Sequence, residues 1–163
     1  MFLLARLRAA RLLSAYARGR RDFSHWDLRG ADLRGADLAR IDLRGARLRA
    51  ACLRNARLLG AILSGADLAA TDLAQADLRD AVLAYAQLTG ADLRDAQLTG
   101  ADLTGARLVR TTLLGVRADW AYAAEADLTG ATLDGADFTG TDFGPLPSAG
   151  APAHGDHAAG DAE

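Results

Sequence analysis

Residues 22–46 read DFSHWDLRGADLRGADLARIDLRGA, and the spacing of their apolar residues decides the fold. A bulky apolar residue stands at every fifth position, at Phe23, Leu28, Leu33, Leu38 and Leu43, and the frame runs unbroken to Phe143, 25 units in all. Leu fills 20 of these centres and Phe fills three, leaving only Ala118 and Ala123 small. Two residues before the centre, Ala takes 18 of the 25 places. A period of five fits neither the 3.6 residues of a helix nor the alternation of a strand. On a helix such a Leu series would wander around the axis, and the Gly at many unit ends would cost about 1 kcal/mol each. A short extended piece followed by a turn, repeated as a solenoid, satisfies the pattern. The centre and the residue two before it then point inward. The other three positions, where Asp, Arg, Thr and Gly collect, point out, and Gly at the unit end suits a turn that needs positive φ.

The unit Ala31-Asp32-Leu33-Arg34-Gly35 and its repeats resemble the pentapeptide-repeat family, whose pattern is A(D/N)LXX, over about three quarters of the chain. The resemblance implies an all-β fold, a right-handed quadrilateral parallel β-helix with four units to a coil. Twenty-five units make about six coils, and at ~4.8 Å per strand the rod is about 30 Å long. Its core is expected to stack Leu33, Leu53, Leu73, Leu93 and Leu113, with Phe138 and Phe143 plugging the last turns.

Three regions follow. Residues 1–21, MFLLARLRAARLLSAYARGRR, lack the period and read as a helix that caps the first coil or anchors the chain. Trp26, where Ala is expected, fits an open first coil against such a cap. Residues 22–143 are the solenoid. Within them 116–125, VRADWAYAAE, puts Ala at two successive centres, so either Trp120 folds inward to fill the voids or a loop forms. Residues 144–163, with Pro145 and Pro147 at their start, read as a disordered tail.

Every one of the 19 basic residues is Arg, a bias pointing to GC-rich coding and a bacterial source. The single Cys52 allows no internal disulfide, which suits a reducing, cytoplasmic setting. Arg6, Arg8 and Arg11 interrupt the apolar run that a secretory leader needs, and no stretch is long enough to span a bilayer. The net charge of −2 hides a gradient. Residues 1–21 carry six Arg and no acid, 22–60 carry eight Arg against five Asp, and 61–143 carry five Arg against 13 acids.

With 20 residues to a coil, the residues preceding the centres form four outer columns. Two of them, Asp27-Arg47-Asp67-Gln87-Arg107-Asp127 and the matching series from Asp37 to Asp137, alternate in sign and read as self-neutralising walls. The column from Asp22 to Asp142 is interrupted by Ile62, Val82 and Tyr122, with Tyr85 beside Val82, and is the first candidate contact surface for a protein partner. The column Asp32-Cys52-Asp72-Asp92 holds an acidic pair, Asp72 and Asp92, with Asp95 nearby, as a second.

No catalytic constellation, metal-ligand spacing or phosphate loop stands out. His154 and His157 lie in the tail and His25 at the solenoid's start, and Cys52 has no His neighbour in the repeat. The reading is therefore a non-enzymatic interaction scaffold with no cofactor and no metal. Family resemblance also implies an alternative, since some members mimic DNA and bind type II topoisomerases such as gyrase. Direct nucleic-acid binding is not expected, because Asp dilutes the Arg and aromatics do not interleave with them. Membrane contact through residues 1–21 and homodimer formation through the Phe-bearing C-terminal coil complete the expectations.

Overall fold

The computed structural model describes residues 2–144; the expected disorder of the tail concerns 145–163, outside the described residues. A single helix, α1 (Phe2–Ala17), is followed by 21 isolated parallel bridges, each joining residues 20 apart, from Asp22↔Asp42 to Tyr122↔Asp142. The chain is thus a repeat solenoid with a 20-residue coil and a bridge in every unit. The extended pieces anticipated from sequence are reduced to one bridging residue each, because a turn follows three residues later.

Following the N–H groups of one unit explains the repeat. Thr71 closes the preceding turn by donating to Leu68 O at 3.1 Å. Asp72 donates down to Ala51 O at 3.0 Å, while Leu73 and Gln75 donate up to Asp92 O and Arg94 O at 2.7 and 2.8 Å. Only the N–H of Ala74 finds no carbonyl, and the Asp72 carboxylate accepts it at 3.1 Å. An acceptor on a short side chain is what the second position of the unit calls for, hence its Asp. Asp22, Asp42, Asp102 and Asp142 serve the same N–H in their own units.

The turns impose the other constraint. From His25 to Gly140 every fifth residue has φ between 55° and 69°, and 12 of these are not Gly. Each such residue costs about 1–2 kcal/mol against the right-handed region. A side chain in this conformation leans onto the coil above. A Cβ on Gly105 would lie 2.5 Å from the Tyr85 ring, and one on Gly140 would lie 2.6 Å from the Trp120 ring. A ring at a turn, as at His25, Tyr85 and Trp120, therefore demands Gly 20 residues later.

Inside, Leu33, Leu53, Leu73, Leu93 and Leu113 are buried together with the Ala or Thr two residues before each. Where Thr replaces Ala, its hydroxyl donates to a carbonyl 23 residues back, Thr71 to Leu48 O at 3.0 Å and Thr111 to Leu88 O at 2.8 Å. Residues 116–125 take neither of the two courses anticipated for them. Arg117↔Asp137 and Tyr122↔Asp142 keep the regular coil, Ala118 and Ala123 are buried, and Trp120 stands outside. Val116 replaces Ala at the inner corner and restores volume beside the small centre.

The two ends differ. Helix α1 buries Ala9 and Leu12 against the first coil, where Trp26 meets Phe23 edge-on at 4.9 Å. First-coil carbonyls have no coil below to bond, and α1 and its exit supply donors instead. Arg8 Nη1 reaches Arg29 O and Tyr16 Oη reaches Ala39 O, both at 2.8 Å, and Arg20 Nε reaches Asp22 O at 2.6 Å. At the top, the N–H groups of Leu128, Gly130, Leu133 and Gly135 find no acceptor among the described residues. The Phe138 and Phe143 rings meet at a tilt, 5.7 Å apart, but Phe138 is only half-buried and Phe143 is exposed. Their expected place in a sealed core is corrected, since no described coil lies above them.

Leu73→Ala should lower the unfolding free energy by about 2–5 kcal/mol, as for other buried Leu truncations. Gly105→Ala should cost about 1–2 kcal/mol from turn strain alone, and more because Tyr85 must move; denaturant titration reads both.

Candidate functional site

The Leu-filled interior turns attention to the walls, and the bridges fix which residues share one. Nine ion pairs are found among the described residues, all between Arg8 and Arg94. The columns of alternating sign neutralise themselves less along the column than within the unit. Arg57–Asp37, at 3.1 Å, does run from coil to coil. The commoner pair is Asp with the Arg two residues on, as in Asp32–Arg34 at 2.7 Å and Asp77–Arg79 at 2.8 Å.

The acidic patch anticipated at Asp72 and Asp92 is corrected on the same ground. Asp72 pairs with Arg54 at 3.0 Å and Asp92 with Arg94 at 2.6 Å, so neither carboxylate is without a counter-charge. Cys52 Sγ also faces Asp72, at 3.8 Å. Asp95 occupies a positive-φ turn and lays its carboxylate over Gly115, away from the bridging column.

The remaining wall departs from the repeat. Its bridges run Asp22, Asp42, Ile62, Val82, Asp102, Tyr122, Asp142. Ile62 and Val82 are directly bridged neighbours, and both are half-buried. Three of the column's Asp positions are thereby given up. The N–H groups of Ser64, Ala84 and Ala124 correspondingly have no acceptor among the described residues. Tyr85 and Trp120 occupy turns on the two opposite edges of this wall, and Tyr122 stands in its column. Their exposures are 62%, 66% and 57%. Tyr85 and Trp120 are seated over Gly105 and Gly140, which fixes them in place. Trp120 is the member that sequence reasoning missed as a surface group. Its signal was available in the Gly 20 residues after it, the mark of a turn side chain lying on the next coil.

Two other features lie off this wall. A cleft of about 370 Å³ runs between α1 and the first coil, lined by Leu4, Leu7, Arg8, Arg11, Trp26 and Asp27. The last coil carries Asp127, Asp134, Asp137 and Asp142 and no basic residue, so pairing two copies through it would bring like charges together. Among the described residues no group of three or more His, Cys, Asp or Glu is placed to hold a metal ion, and no helix is long and apolar enough to cross a membrane.

A family model described as pentapeptide repeats matches in eight copies, over residues 22–60, 61–100, 91–122 and 113–144. Among solved structures, a pentapeptide repeat protein from Nostoc PCC 7120 is 44% identical, the match covering 60% of this chain and 78% of that one with a TM-score of 0.57. A pentapeptide repeat protein of the Arabidopsis thaliana thylakoid lumen is 30% identical over 57% of this chain and 69% of its own, with a TM-score of 0.43. A plasmid-mediated fluoroquinolone resistance protein is 19% identical over 78% of this chain and 76% of its own, with a TM-score of 0.37. No curated protein matches.

The paired walls set the response to acid. Hydrogen bonds from Arg29, Arg34, Arg44, Arg79 and Arg94 hold the carboxyls of Asp27, Asp32, Asp42, Asp77 and Asp92, respectively, below the ordinary Asp value. Depressed carboxyls stabilise the fold above the unfolded Asp value, about 3.9, and that contribution is lost as pH falls through the folded values. The melting temperature should therefore be level from neutral pH to about 5 and drop below about 4. The Asp77→Asn, Asp92→Asn double variant keeps an acceptor for the unit's N–H but not the charge, and its drop should be shallower.

Proposed function

The chain belongs to the pentapeptide-repeat family, and from that premise we propose that it is a non-enzymatic scaffold that binds a protein partner through one wall of its solenoid. The observation that carries this reading is the wall of Ile62, Val82 and Tyr122 edged by Tyr85 and Trp120. Tyr and Trp dominate the energetics of protein interfaces, and they do so best when they are rigid and surrounded by near-neutral contacts. Here the aromatic rings rest on Gly of the next coil, so little freedom is lost on binding. Gln87 and Gln97, on the two adjoining columns, supply a polar rim, whereas Asp72, Asp92 and Asp95 belong to the opposite side of the coil. We further infer that the coil is right-handed and square in section, a reading supported by four bridges spaced five residues apart. Square walls make the contact surface flat.

A second reading, in which the rod mimics duplex DNA and binds a type II topoisomerase such as gyrase, is favoured by the acidity of the upper coils. Beyond Arg117 the described chain has six acids and no base, and none of those acids enters an ion pair among the described residues. The paired Asp and Arg lower down weaken this reading, because duplex DNA presents one unbroken charge per ~1.7 Å.

The Ile62→Asn, Val82→Asn variant separates the wall's function from its structure. Asn returns an acceptor to the N–H groups of Ser64 and Ala84 without adding charge, so the melting temperature should hold or rise by a few degrees. Capture of the partner from a lysate of the source cell should fall at least tenfold; undiminished capture sinks the scaffold reading. In a gyrase supercoiling assay, inhibition or quinolone protection at low micromolar protein, insensitive to this variant, would instead support the DNA-mimic reading.

A further inference from the structure

Helix α1 has two faces, and capping the solenoid uses only one. Ala9 and Leu12 are buried against the first coil, and Tyr16 and Arg8 tie the helix to its carbonyls. The opposite face turns Leu3, Leu4 and Leu7 to solvent, with exposures of 80%, 59% and 54%. Leu4 and Leu7 border the cleft that ends on Trp26, so the apolar patch continues past the helix.

Arginines surround this patch, and they divide into two sets. Arg8 pairs with Asp27 at 2.8 Å, Arg20 lies 5.0 Å from the Trp26 ring centre, and Arg21 lies 4.0 Å from that of Tyr16. These three serve the fold. Arg6, Arg11 and Arg18 are exposed and form no ion pair with any described carboxylate, although Arg11 also lies 5.8 Å from the Trp26 ring centre. Residues 1–21 contain no acid. A cap needs neither three Leu in water nor three unpaired positive charges beside them. Together they are the composition of a helix that lies in a membrane interface, with Leu among the acyl chains and Arg among the headgroups.

We propose that the outward face of α1 docks on an anionic phospholipid bilayer, with the solenoid standing above it. The charge along the rod supports that orientation. The helix and residues 22–60 carry 14 Arg against five acids, whereas 61–143 carry five Arg against 13 acids. An anionic surface attracts the first end and repels the second, which sets the rod upright. The exposed Leu trio favours lipid over nucleic acid, since phosphates offer Leu no apolar partner. Stacking at ~4.8 Å per coil then holds the wall from Ile62 to Tyr122 about 10–25 Å above the first coil, clear of the headgroups. This inference goes beyond the scaffold reading and does not depend on it.

Co-sedimentation of the full chain with vesicles tests it, comparing pure phosphatidylcholine with a mixture containing about one-third phosphatidylglycerol. The chain should pellet with the anionic vesicles alone, and less so at high salt. Arg6→Gln, Arg11→Gln, Arg18→Gln should weaken partition by about fivefold per charge, and Leu3→Glu, Leu7→Glu should abolish it. Both variants should melt with the wild type, because the altered side chains are exposed. No pelleting, equal pelleting with neutral vesicles, or wild-type binding by the Leu variant overturns the proposal. So does tighter binding to a duplex oligonucleotide. Self-association without vesicles that is lost in the Leu variant also overturns it, since the patch would then seat a second copy.

Discussion

Every feature of the rod depends on the left-handed turn at each fifth residue. It takes one N–H for a local bond, leaves one for the Asp of its own unit, and sends the other three to the coils above and below. With that division fixed, the backbone is satisfied without strands longer than a single bridging residue, and the walls can stay short and flat. The cost is conformational: 12 residues other than Gly are held at positive φ, a strain of about 1–2 kcal/mol apiece. Leu burial in most units, at roughly 1.5–3 kcal/mol per side chain, offsets it. A five-residue repeat is therefore about as small as a unit can be while burying one large side chain for each turn it strains.

The same turn couples residues that are distant in sequence. Tyr85 with Gly105, Trp120 with Gly140 and His25 with Gly45 are one relation repeated, a side chain laid on the coil above that leaves no room for a Cβ there. This explains how much of the molecule was legible. The inward Leu and Ala and the membership of each outer column follow from the period and a coil of four units. The fate of Trp120 did not follow, because two small centres suggested a void to be filled, and reading its place required relating position 120 to Gly140. The neutralisation of Asp72 and Asp92 was likewise hidden. A column reading compares residues 20 apart, whereas Arg94 lies two positions from its partner and Arg54 lies 18 from its own.

A parallel solenoid also has a polarity that sequence periodicity cannot reveal. Its lower face presents two carbonyls per unit for each N–H, and its upper face presents the reverse. The chain answers the first with donors from Arg8, Tyr16 and Arg20, so a basic N-terminal element is chemically suited to that end. The upper end, rich in N–H groups, is bordered by Asp127, Asp134, Asp137 and Asp142. The charge gradient along the chain therefore matches the backbone's own asymmetry, basic where carbonyls are open and acidic where N–H groups are.

With the interior filled by Leu, information about function within the solenoid resides in departures from the repeat on the walls. Most departures are polar for polar and change little. Ile62, Val82 and Tyr122 differ in kind: like Arg, Gln and Thr at this position they leave the unit's spare N–H without an acceptor among the described residues, but they also put apolar surface where the repeat is polar. Nothing in the coil requires that exchange: the Asp at 42, 102 and 142 fit the same column and make the bond. Three apolar or aromatic side chains in one column, with exposed aromatic rings seated on both edges of its wall, are hard to account for by folding alone. They are accounted for if the wall gains on binding what it forgoes in the free chain.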